Sequence, residues 1–168
     1  MTDMQLTKRQ IPAKIMSPGA VKVPPHSVEA EQSVLGGVML ESRAWDQIVD
    51  KLREDDFYRH EHRVIFRTLG RLVDQSKPID VLTVSEGLRE MHELDQVGGE
   101  VYLFELANNT PSAANISAYA EIVRERAILR KMIDAASGIA ESAFNSQGRS
   151  ITELLDSAER SVFSIADH

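Results

Sequence analysis

Histidines, carboxylates and arginines at short spacing are the places where this 168-residue chain could do chemistry. His60-Glu61-His62 invites a metal reading, because imidazole and carboxylate are common ligands of zinc. On a helix, however, positions two apart point about 200° from each other, so the two imidazoles would not share one ion. His26, His92 and His168 are the remaining histidines and there is no cysteine. No metal site is therefore expected, and the segment reads as an exposed helix start with Glu61 near the N-terminus. Asp55-Asp56 and Glu90 with Glu93 bring carboxylates without a partnered base, a nucleophile or an apolar pocket, and read as solvated surface acids. None of the nine glycines is followed by lysine, which excludes the GxxxxGKS/T phosphate-binding loop. Nothing here amounts to an active site, and no cofactor site is expected.

The arginines are more regular. Arg59, Arg63, Arg67 and Arg71 recur at a spacing of four, which aligns them in a slowly drifting basic row on one helix face. One reading is a dock for an acidic partner or a phosphate backbone, including single-stranded DNA. The other is a solvated face paired with the many carboxylates around it. Charge bears on the choice. The chain carries a formal net charge of -7. By segment it is +3 over residues 1–25, -8 over 26–111 and -2 over 112–168. Such a chain repels nucleic acid over most of its surface and points to protein partners.

Composition allows a packed core: 42% of the residues are apolar. The absence of cysteine fits a reducing, cytoplasmic setting. Apolar runs are too short to span a bilayer, and the first residues lack the apolar core of a signal peptide.

The elements that would position these groups are helices. Residues 1–25 read as a disordered tail, broken by Pro12, Pro18, Pro24 and Pro25. Residues 26–111 read as a compact globule of about six short helices. Ser27 is a natural N-cap, with Glu29 and Glu31 in the first turn. Gly36-Gly37 inside that first helix costs roughly 1 kcal/mol per glycine, which implies another backbone packed closely against it. Further helices are expected over about 43–53, 61–75 and 84–92, the last capped by Thr83 with Glu86 three residues on. Another is expected from Glu100 to Ala107, before Asn108-Asn109-Thr110-Pro111 breaks it. Pro78 to Leu82 could be extended, but one isolated strand makes no sheet. The fold class is all-α.

Residues 112–168 differ in kind, reading as two long helices in an antiparallel hairpin. Asn115 to Phe144 contains no proline and one glycine, and Asn145-Ser146-Gln147-Gly148 is a turn. Ile151, Leu154, Leu155, Ala158, Val162 and Ile165 then give a heptad seam. On the long helix Tyr119, Ile122, Leu129, Ile133, Ala136 and Ala140 form one stripe. Ile128, Met132, Ala135 and Ile139 form a second, rotated by roughly 100°. Together they cover more of the helix than one hairpin partner can bury. The excess packs either on the chain's own globule or on another subunit or protein.

The exact residues go further. Val23-Pro24-Pro25-His26-Ser27-Val28-Glu29-Ala30-Glu31-Gln32-Ser33-Val34-Leu35-Gly36-Gly37 resembles the opening of the DnaB family of bacterial replicative DNA helicases. So do Asp56-Phe57-Tyr58, Pro78-Ile79-Asp80, Val97-Gly98-Gly99 and the run from Asn109 to Ile116. The resemblance continues through Ala118-Tyr119-Ala120 and Ile122 to Arg126 and covers about residues 23–166. It implies the N-terminal part of a hexameric, ATP-dependent helicase, ending where a linker to a RecA-like motor domain would begin. ATP and Mg would then belong to that motor. The resemblance also implies a collar built as a trimer of dimers, in which hairpins pair and receive the C-terminal domain of primase. On this chain the expected contact residues are Ile128, Met132, Ile133 and Ile139, with Leu155 and Val162 across the hairpin. Ile139→Asp would then weaken primase binding while the domain stays folded.

Overall fold

The computed structural model describes residues 22–167. Of the tail expected over residues 1–25, residues 1–21 lie outside them. Every regular element among the described residues is helical: α1 (Val28–Leu40), α2 (Trp45–Ile48), α3 (His60–Asp74), α4 (Val81–Glu90), α5 (Gly99–Asn109), α6 (Ile116–Phe144) and α7 (Ile151–Ala166). Short 3-10 turns at Ser42–Ala44, Glu54–Asp56 and Asp95–Val97 link them. The all-α class holds, and α6 and α7 form the hairpin.

Local chemistry explains most of the boundaries. The Ser27 hydroxyl accepts the Ala30 amide at the start of α1, and Ser150 and Glu153 form a reciprocal capping box at the start of α7. The expected cap at Thr83 is displaced. Asp80 is the N-cap of α4, its carboxylate accepting from the Thr83 amide while the Thr83 hydroxyl accepts from the Asp80 amide. Thr83 is thus the third residue of the box, and Val81 and Leu82 are helical where an extended segment seemed open. The helix expected over 43–53 is a 3-10 turn followed by the single α turn Trp45–Ile48.

Gly36 and Gly37 hold α1 against α5 and α6. A Cβ on Gly36 would lie 2.2 Å from both the Leu106 carbonyl oxygen and Thr110 Oγ1, and one on Gly37 would lie 3.1 Å from Ile116 Cδ1. The close backbone approach implied by the two glycines is therefore present. The first three turns of α6 belong to the same core, burying Ile116, Ala120 and Val123 with Leu35, Ile48, Leu69, Leu88 and Leu103.

Several polar groups that looked exposed are inside. His62 is buried, so the reading of His60-Glu61-His62 as an exposed segment fails at its third residue. Its Nδ1 donates to the buried Glu31 carboxylate at 2.8 Å, and its Nε2 lies 2.6 Å from the Tyr102 hydroxyl. Glu31 also accepts the backbone amides of Tyr58 and Arg59 just ahead of α3. Gln32 donates to the Tyr102 hydroxyl, and burial raises the Tyr102 pKa above its ordinary value. One carboxylate on α1 thus fixes the entry to α3 and, through His62, the position of α5. Asp56, expected at the solvated surface, is likewise buried and accepts the Arg53 amide.

Two stability tests follow from this packing. Gly36→Ala has to push α5 away, and overpacking of this kind outweighs the helix-propensity gain, for a net loss of about 2 kcal/mol. Gly138→Ala on α6 meets nothing within 4 Å and should gain about 1 kcal/mol in the same thermal melts. Equal shifts for the two variants would refute the close approach at Gly36. Glu31→Ala leaves His62 and two amides without their acceptor and should cost about 3 kcal/mol in urea unfolding. A loss under about 1 kcal/mol would mean that the network is incidental to stability.

Candidate functional site

The arginine row weighed as a dock is largely engaged within the chain. Arg63 Nε donates to the Phe57 carbonyl and Arg71 to the Gly87 carbonyl. Arg67 bridges Glu54 at 2.8 Å and Glu93 at 2.6 Å, and its hydrogen bond to Glu93 is the main reason its pKa is raised. Arg59 is the N-cap residue of α3 and stays exposed. Three of the four arginines thus hold the globule together, and the row does not form an open cationic track. Among the described residues no group of His, Asp and Glu could hold a metal ion, and no helix is long and apolar enough to cross a membrane.

What remains is the hairpin. None of the residues of α7 is buried, although a 16-residue helix is marginal on its own. The contact between α6 and α7 is made by small side chains: Gly138, Ser142 and Ala143 face Ser157, Ala158 and Ser161 around a cleft of about 140 Å3. Ile139 and Leu154, both half-buried, also line that cleft, and the exposed Leu155 sits at its edge. Such a seam removes little apolar surface from water.

The larger apolar side chains point elsewhere. On α7 the expected heptad seam splits in two. Leu154, Ala158 and Ile165 are half-buried, whereas Ile151 and Leu155 are 73% and 66% exposed and Val162 is also exposed. At 100° per residue the exposed trio is rotated about 60° from the half-buried one. On α6 the exposed residues Leu129, Ile133, Ala136, Ala140 and Phe144 are rotated about 130° in the same sense from the half-buried Ala135, Ile139 and Ser142. Two antiparallel helices whose exposed stripes turn the same way from their shared seam present both stripes on one side of the hairpin. Met132, at 51% exposed, lies between seam and stripe on α6.

The six residues expected at an interface therefore divide. Met132, Ile133, Leu155 and Val162 are exposed, and Ile128 and Ile139 are half-buried. Phe144, Ile151 and Leu129 join the exposed face without having been singled out for it. Phe144, at 94%, is the most exposed large apolar residue here. Its spacing of four from Ala140 and eleven from Ile133 was the available signal.

The base of the hairpin is fastened by Arg130. It donates to the Pro25 carbonyl at 2.7 Å and the Asp56 carbonyl at 2.6 Å, and it overlies the Tyr58 ring at 5.5 Å. Burial lowers the Arg130 pKa, and the nearby Glu31 carboxylate opposes that shift. Nothing in the local pattern of α6 marks this residue for the task.

Comparison with known proteins places the hairpin and globule in a family. Residues 23–125 match the family model described as the DnaB-like helicase N terminal domain. The replicative DNA helicase DnaB of Haemophilus influenzae is 48% identical over 158 residues, which cover 94% of this chain and 34% of that protein. The chain thus spans about a third of the length of the curated relatives it matches. The crystal structure of the N-terminal domain of DnaB helicase from Mycobacterium tuberculosis is similar with a TM-score of 0.82 at 34% identity, covering 84% of this chain and 99% of that one. A DnaB-like replicative helicase solved for its interactions with primase is similar with a TM-score of 0.70 at 26% identity, covering 84% of this chain and 31% of that one. This chain belongs to the family of DnaB-like helicase N-terminal domains.

Proposed function

We propose that this chain is the collar and recruiting part of a hexameric, ATP-dependent replicative helicase that unwinds duplex DNA at the bacterial replication fork. In this reading it pairs with copies of itself through the hairpin, as a dimer or within a trimer of dimers, and receives the C-terminal domain of primase. It has no ATPase or helicase activity of its own. ATP and Mg belong to a motor domain within the remaining two thirds of its relatives' length, and the whole works in the cytoplasm. The observation that carries this reading is the one-sided apolar face of a hairpin whose second helix has no buried residue. Apolar patches of this extent mark interfaces. The relative solved for its interactions with primase supports the choice of partner.

Calorimetric titration with the primase C-terminal domain, alongside sedimentation of the chain alone, tests the proposal. Leu155→Asp should leave helicity and melting unchanged and weaken self-association or primase binding at least tenfold, because an exposed apolar anchor is replaced by a charge. Ile139→Asp should instead lower the helical signal and the melting temperature, because Ile139 is half-buried in the seam between α6 and α7 whereas Leu155 is 66% exposed. A Leu155→Asp chain that still sediments and binds primase as the parent does would sink the proposal.

A further inference from the structure

Beside the foot of the hairpin, on the side where α6 leaves the globule, lies a cleft of about 650 Å3. Its apolar walls come from Val23 and Pro24 on the segment leading to α1, and from Ala127 and Ile133 on α6. Lys22, Arg63, Arg130 and Lys131 surround those walls, against two carboxylates, Asp55 and Asp134. A net positive cleft is unusual in a chain whose residues 26–111 carry -8. Ile133 belongs both to this cleft and to the exposed stripe of α6, so the cleft opens onto an extended surface.

We infer that this cleft binds an acidic peptide segment of a protein partner, with one apolar side chain seated between Pro24, Ala127 and Ile133 and its carboxylates on Lys22 and Arg63. Charge complementarity selects that occupant. The chain's own residues 1–21 carry a net +2 and would be repelled. Nucleic acid fits worse, because single strands use open aromatic faces for stacking. The Tyr58 ring is already stacked on His26 at 4.1 Å and overlain by Arg130.

The probe is a short fluorescein-labelled peptide with leucine and glutamate at helical spacing, titrated by anisotropy onto the 168-residue chain. A lysine-for-glutamate peptide and an oligothymidylate serve as comparators. Saturable binding of the acidic peptide alone is expected. Lys22→Glu, at an exposed position, should weaken it roughly threefold, and Lys22→Glu with Arg63→Gln roughly tenfold. Leu155→Asp, on α7 and away from the cleft, should leave it unchanged, which separates this site from the hairpin face. The inference is overturned by any of four results: no binding of the acidic peptide, equal binding of the lysine peptide, displacement by the oligothymidylate, or insensitivity to Lys22→Glu.

Discussion

A single buried carboxylate sets most of this architecture. Glu31 is 1% exposed, and a lone carboxylate in that position would cost several kcal/mol in lost hydration. His62 and the amides of Tyr58 and Arg59 offset that cost only while α1, the loop before α3 and α3 itself keep one arrangement. The consequences extend outward. His62 reaches Tyr102 on α5, and Gly36 lets α5 close on α1. The same loop presents Tyr58 and the Asp56 carbonyl to Arg130, so the direction in which α6 leaves the globule depends on where Glu31 holds residues 57–59. A polar network here specifies geometry that an apolar core of equal volume would leave looser.

The molecule is consequently divided in stiffness. The first twelve residues of α6 are packed into the globule, and Arg124 and Arg130 tie it to the Lys51 and Asp56 carbonyls. Beyond Arg130 the helix runs on for about 20 Å at 1.5 Å per residue, supported by a seam made mostly of glycine, alanine and serine with Ile139 and Leu154 half-buried in it. Small residues let two helices approach closely but bury little. In the proposed reading the hairpin tip gains its main apolar burial from another molecule, which would link ordering to association there.

How far the sequence foretold this depends on the kind of signal. Gly36-Gly37 announced a close helix crossing because no other role offsets two glycines in a helix interior. The lengths of α6 and α7 followed from the spacing of proline and glycine. The division of α7 into seam and exposed stripe did not, because a heptad repeat identifies an apolar arc without saying which part of a wide arc meets the partner. Leu154 and Leu155 are adjacent in sequence and sit in different environments. Buried polar residues were the least legible. His62, Asp56 and Glu31 look like surface residues by type, and their burial depends on partners 3 to 40 positions away.

The same internal bonding bears on what the surface can recognise. Arg63, Arg71 and Arg130 each give hydrogen bonds to backbone carbonyls, and Arg67 is spent between two glutamates. The acidity of the globule comes from its net charge of -8 over residues 26–111. An acidic globule stays off the phosphate backbone through long-range repulsion. The hairpin face, almost free of charge along Leu129, Ile133, Ile151 and Leu155, remains available for apolar contact. Electrostatics disfavours one class of partner and the exposed stripe favours another, as the recruiting role proposed above requires.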